Sequence, residues 1–123
     1  MKNNTFKLSK VGKIYNGITN KKGNDFGYGK KFITYKQVFD NRVIPKDSFG
    51  LVNIDEENEK QNKVKYGDIL ITTSSETPDE LATTSIFLNK NISPFLNSFC
   101  FGFRLNKIDN ILPEFLSYLF RSQ

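Results

Sequence analysis

Polar and apolar positions change places in short runs along most of the chain, which is the pattern of strands. Lys13-Ile14-Tyr15-Asn16-Gly17-Ile18-Thr19 alternates with period two and predicts a strand. Phe32-Ile33-Thr34-Tyr35 and Leu51-Val52-Asn53-Ile54 predict two more. Asp68-Ile69-Leu70-Ile71-Thr72-Thr73 holds an unbroken aliphatic run and predicts a strand buried on both faces. Ser85 to Leu88 and Ser98 to Leu105 complete the set, and the second places Phe99, Phe101 and Phe103 on one face. Helical signals are fewer. Phe6 to Gly12 predicts one turn capped by Ser9, and Tyr35 to Asn41 a short helix with Val38 and Phe39 facing inward. Leu112, Phe115, Leu116, Leu119 and Phe120 form an apolar stripe behind Pro113, which predicts a C-terminal helix.

Between these elements, residues 20–31 read as a turn-rich loop with Gly and Lys, and residues 55–65 as a charged linker in solvent. Tyr66-Gly67-Asp68 reads as a turn that Asp68 fixes, and Ser74 to Glu80 as a polar loop. The predicted fold class is α+β: a mostly antiparallel or mixed sheet with short helices and a C-terminal helix. At 123 residues the chain has room for one domain with one core.

Composition removes several classes of chemistry. The chain has no His, which excludes His triads, His general bases and His metal sites. Its single cysteine, Cys100, excludes an internal disulfide and a thiolate zinc cluster, and reads as a small buried hydrophobe in a core strand. The longest aliphatic run, Ile69-Leu70-Ile71, is far too short for a bilayer, and the first residues lack the apolar run of a signal peptide. A cytoplasmic location with no membrane association is expected. Gly23 to Lys31 resembles a phosphate loop, but Asn24 and Lys31 stand where a Walker sequence needs Gly and Ser or Thr. None of the thirteen acids precedes a Lys by two residues, as an acidic-pair nuclease requires, and no Asn-Pro-Pro-Tyr or Asp-Pro-Pro-Tyr run for base methylation is present. No catalytic constellation, metal or cofactor is expected.

Charge placement adds a partner. The net charge is +5, but residues 1–50 carry eleven basic and three acidic side chains, whereas residues 51–80 carry three and eight. Lys21, Lys22, Lys30 and Lys31 flank one Gly-rich segment that also holds Tyr28. Lysines neutralise phosphates, and a glycine backbone approaches a duplex closely. The pattern points to a polyanion such as nucleic acid, with an ordinary solvated loop as the plainer reading.

The order of segments resembles a known family. Lys7-Leu8-Ser9-Lys10-Val11-Gly12-Lys13-Ile14 with Asn16-Gly17-Ile18-Thr19, Gly29-Lys30-Lys31-Phe32-Ile33-Thr34-Tyr35 with Val38-Phe39, and the run from Val64 to Glu76 form three blocks. Asn97 to Arg104 and Pro113 to Ser122 form a fourth and a fifth. In this order they resemble a target recognition domain of the DNA-specificity subunits of type I restriction–modification systems. The resemblance implies a non-catalytic, sequence-specific grip on double-stranded DNA, working with methylation (M) and restriction (R) subunits that carry the chemistry. Family members continue beyond the position of Arg121-Ser122-Gln123 into a spacer helix and a second recognition domain. The expectation is therefore one C-terminally incomplete recognition domain over residues 1–123, with a second recognition domain or self-association as further partners. The alternative is a fragment that acts only through protein–protein association, or a non-functional remnant.

Within that reading, Lys21, Lys22, Lys30 and Lys31 are the expected phosphate contacts and Tyr28 a sugar or base-edge contact. The hydroxyls of Thr73, Ser74 and Ser75 offer bonds to phosphates, and Glu76 reads either as an acceptor for a cytosine amino group or as a capping carboxylate. Arg104 reads either as a DNA contact or as a structural arginine that bonds loop carbonyls.

Overall fold

The computed structural model describes residues 12–72 and 83–106. The predicted Ser9-capped turn, the polar loop with Thr73, Ser74, Ser75 and Glu76, and the C-terminal helix lie outside the described residues. In chain order the elements are β1 (Gly12–Asn16), a 3-10 turn (Gly23–Asp25), β2 (Phe26–Ile33), α1 (Tyr35–Asp40), β3 (Gly50–Val52), β4 (Ile69–Thr72), β5 (Thr84–Ile86), β6 (Phe95–Leu96) and β7 (Cys100–Leu105). The class is α+β and rich in sheet.

Two sheets share the chain. The first has the order β1-β7-β4-β5 with every pairing antiparallel, and the second has the order β3-β2-β6 with β2 and β6 parallel. The aliphatic run predicted to be buried on both faces is an inner strand of the first sheet, where Ile69 and Leu70 have no exposed surface. The main core gathers Ile33, Val38, Ile44, Val64, Leu70, Phe87, Leu96 and Cys100. A smaller cluster of Ile18, Val52, Ile54 and Phe95 sits beside the second sheet. Cys100 behaves as a buried hydrophobe, and burial pushes its thiol up to about 11.

Asn97 ties the sheets together. Its backbone N–H donates to the Ile33 carbonyl at 3.0 Å, its amide group contacts the Cys100 sulfur, and its Oδ1 accepts from Phe99 N–H at 2.8 Å. Gly17 passes so close to this corner that a Cβ there would lie 1.9 Å from the Asn97 carbonyl oxygen. Helix α1 opens with a capping box: Thr34 Oγ1 accepts from Gln37 N–H at 3.1 Å, and Gln37 Oε1 accepts from Thr34 N–H at 3.0 Å.

Four sequence expectations are corrected. The glycine-rich segment is not a loop: residues 26–33 form the longest strand among the described residues. Phe39 does not face inward. The capping box turns Gln37 and Val38 to the core, and Phe39, four residues after Tyr35, stacks on its ring and stays half exposed. Residues 55–65 are not a free linker, because Gln61 bonds Thr19, Asn62 bonds the Asn16 carbonyl and Val64 is fully buried. Phe99 lies in the turn before β7 and is exposed, so the phenylalanine face begins at Phe101 and is buried at Phe103.

Candidate nucleic-acid interface

Strand β2 carries three of the predicted contacts, Tyr28, Lys30 and Lys31, and has an unusual shape. Phe26 and Lys30 both stand opposite Val52 of β3, so Gly27, Tyr28 and Gly29 are extruded between them as a bulge. Both glycines have φ of 105°, a conformation L side chains rarely adopt. A Cβ on Gly29 would lie 2.4 Å from the Val52 carbonyl oxygen, whereas Gly27 faces open space. The bulge carries Tyr28 at its apex, 53% exposed. Phe26, at its base, is anchored edge-on against Phe32 at 5.4 Å.

The four lysines differ in what holds them. Lys21 is committed inward: its ammonium pairs with Glu59 at 2.7 Å and its side chain is only 9% exposed. Lys22 is exposed, and its backbone N–H donates to Asp25 at the start of the 3-10 turn. Lys30 pairs with Glu56 at 3.3 Å, and Lys31 is exposed with its ammonium over the Phe49 ring. Glu56 also pairs with Lys63, whose ammonium lies over the Phe95 ring. An open groove runs here, lined by Lys30, Lys31, Lys63, Glu56, Pro94 and Phe95. Its three ammonium groups face one carboxylate, leaving an excess of positive charge. The hydrogen bonds from Lys63 and then Lys30 lower the Glu56 carboxyl below its ordinary range, and Lys21 does the same to Glu59. Sequence reasoning misses Lys63, Glu56 and Glu59. The opposite charge of the two chain halves is the signal that connects them.

Arg104 is placed in the frame. Its Nε donates to Asp68 Oδ1 at 2.9 Å and its Nη2 to Asp68 Oδ2 at 2.7 Å, a bidentate pair. Nη2 also donates to the Lys63 carbonyl at 2.7 Å, and the guanidinium lies over the Tyr15 ring. Asp68 is 1% exposed and accepts further from Tyr15 Oη at 2.5 Å and from Lys65 N–H at 2.9 Å. Burial and then the Asp68 charge push the Tyr15 phenol far above its ordinary range, so the phenol is held as a donor. Asp68 thus closes the Tyr66-Gly67 turn, where Gly67 has φ of 89°, and joins it to β1 and β7. The structure brings Tyr28, Lys30 and Lys31 together on one strand and keeps Arg104 apart from them on β7.

No group of three or more metal-binding side chains occurs among the described residues. Among them, too, no helix is long and apolar enough to cross a membrane. No protein-family model and no curated protein matches the chain by sequence. Among solved structures, the chain is similar to the crystal structure of the HsdS subunit from Thermoanaerobacter tengcongensis, with a TM-score of 0.61 at 18% identity. The match covers 92% of this chain and 25% of that one, so the chain spans about a quarter of the length of the structure it matches. What the two have in common is the fold.

Proposed function

We propose that this chain is a sequence-specific double-stranded DNA-binding module, acting without catalysis as part of a type I restriction–modification specificity subunit. Methylation and restriction subunits are its partners in this reading. The observation that carries it is the likeness of fold to an HsdS subunit across 92% of the chain. The family-like sequence blocks support it, because they coincide with the joints of the fold: Gly17 against Asn97, the Gly29 bulge, the Gly67-Asp68 turn and the Asp68–Arg104 pair. Such blocks hold the frame, and target reading then belongs to what the frame displays.

In this assignment Lys22, Lys30 and Lys31 contact phosphates, and Tyr28 contacts sugar or base. Lys21 and Arg104, committed to Glu59 and Asp68, serve the frame. Thr73, Ser74, Ser75 and Glu76 follow β4 in sequence and are assigned to target contacts through their hydroxyl and carboxylate groups.

Fluorescence anisotropy of the full chain with labelled duplex, titrated with salt, tests the proposal. We expect log K to fall linearly with log salt. Replacing Lys22, Lys30 and Lys31 by Ala should flatten the slope by about 0.9 for each phosphate that is no longer neutralised. Lys21→Ala should leave the slope unchanged. No duplex binding at low salt would overturn the proposal, and an unchanged slope in the triple variant would remove β2 from the interface.

A further inference from the structure

We infer that the β2 bulge is an aromatic wedge: Tyr28 stacks against an unstacked base step of the bound duplex while the neighbouring lysines hold the phosphates on either side. The inference rests on the DNA-binding reading above and names what one residue does within it. Three features point to it.

The first is the cost of the device. Extruding residues 27–29 forgoes strand pairing, and it needs two glycines at positive φ, one of them pressed on the Val52 carbonyl. Glycine in a strand carries an entropic penalty, so the sequence gives up stability to make this protrusion.

The second is what the protrusion displays. Tyr28 is 53% exposed, and no hydrogen bond or ring contact holds it among the described residues. Phe26, two residues earlier, has a ring partner in Phe32 and forms a fixed base for the tip.

The third is the charge around it. Along the chain Lys22 precedes the tip, and Lys30, which pairs with Glu56, and Lys31, whose ammonium lies over the Phe49 ring, follow it. A partner that satisfies this arrangement presents negative charge on both sides of a flat, uncharged, apolar surface. Phosphates flanking a base pair fit that description. Base–aromatic stacking is indifferent to sequence at the ring itself, but partial unstacking favours flexible steps, so the wedge adds preference through deformability.

The test uses duplexes recovered by selection, with 2-aminopurine placed at successive positions. Wild-type protein should raise 2-aminopurine fluorescence at one step. Tyr28→Ala should abolish that rise and weaken binding roughly tenfold, with the salt slope unchanged because every lysine is still in place. Tyr28→Phe keeps the ring and should retain both the signal and the affinity. Thermal unfolding of each variant checks that the exposed site leaves the fold intact. Selective binding by the wild type with no fluorescence rise at any position would overturn the wedge and leave the DNA-binding reading standing. So would a rise that persists in Tyr28→Ala, or Tyr28→Phe behaving as Tyr28→Ala. A wild-type chain that binds no duplex at low salt would overturn both.

Discussion

Asp68 shows how one residue holds several parts of this molecule. It is essentially without solvent contact, yet it receives the Arg104 guanidinium, the Tyr15 hydroxyl and the Lys65 N–H. Its role at the Tyr66-Gly67 turn was legible in the sequence, because a short carboxylate beside glycine is a common way to close a turn. For Arg104 the sequence left a DNA contact and a structural arginine both open, and the bond to the Lys63 carbonyl is of the second kind. The pairing of Arg104 with Asp68 was not legible, since it joins residues 36 positions apart through sheet register. Removing the guanidinium strands a buried carboxylate. We expect Arg104→Ala to cost about 3 kcal/mol, toward the low end for a broken buried pair because the arginine itself is partly exposed. Arg104→Lys should recover less than half of that, since an ammonium is a point charge without the planar fork that makes the bidentate bond to Asp68. Urea denaturation of the three proteins measures both.

At the scale of elements, the sequence and the structure part company where glycine is concerned. Gly23, Gly27 and Gly29 interrupt any period-two pattern, so residues 20–31 read as a loop. In the fold, two of them are the bulge of a strand, and pairing with β3 on both sides of the bulge restores the ladder. Such pairing is tertiary and leaves no local trace. The largely buried β4 was legible because an aliphatic run needs no partner to be recognised. The buried Val64 was not, because it is a single apolar residue in a charged stretch. The two bulge glycines make separable demands. Gly27→Ala meets only the conformational penalty, about 1 kcal/mol, because open space surrounds it. Gly29→Ala adds a clash with backbone and should cost at least twice as much. Equal midpoints in thermal unfolding of the two variants would show that the bulge geometry does not constrain position 29.

For the whole molecule, the division of charge along the sequence becomes contact in space. The acidic turn after β3 folds onto the basic face, where Glu56 bridges Lys30 and Lys63 and Glu59 holds Lys21. A phosphate approaching the groove must compete with Glu56. Both carboxyls are lowered by their lysines, so the pairing is complete above the ordinary carboxylate range and is lost only as pH falls through the lowered values. Glu56→Gln should therefore tighten duplex binding a few-fold and steepen its salt dependence, as expected when an exposed pair worth little is exchanged for a phosphate contact. Glu57→Gln makes the same change in net charge without freeing a paired lysine, and should have the smaller effect. Equal effects of the two variants in a binding titration would reduce Glu56 to bulk electrostatics.

The central claim is recognition of sequence and not only of polyanion, and lysines alone cannot separate the two. Repeated selection of bound duplexes from a random pool, at a salt concentration where nonspecific binding is weak, tests it most directly. The account predicts enrichment of one short motif within a few rounds, with fixed bases at adjacent positions. A pool that is retained by the protein yet keeps its starting base composition at every position would contradict it.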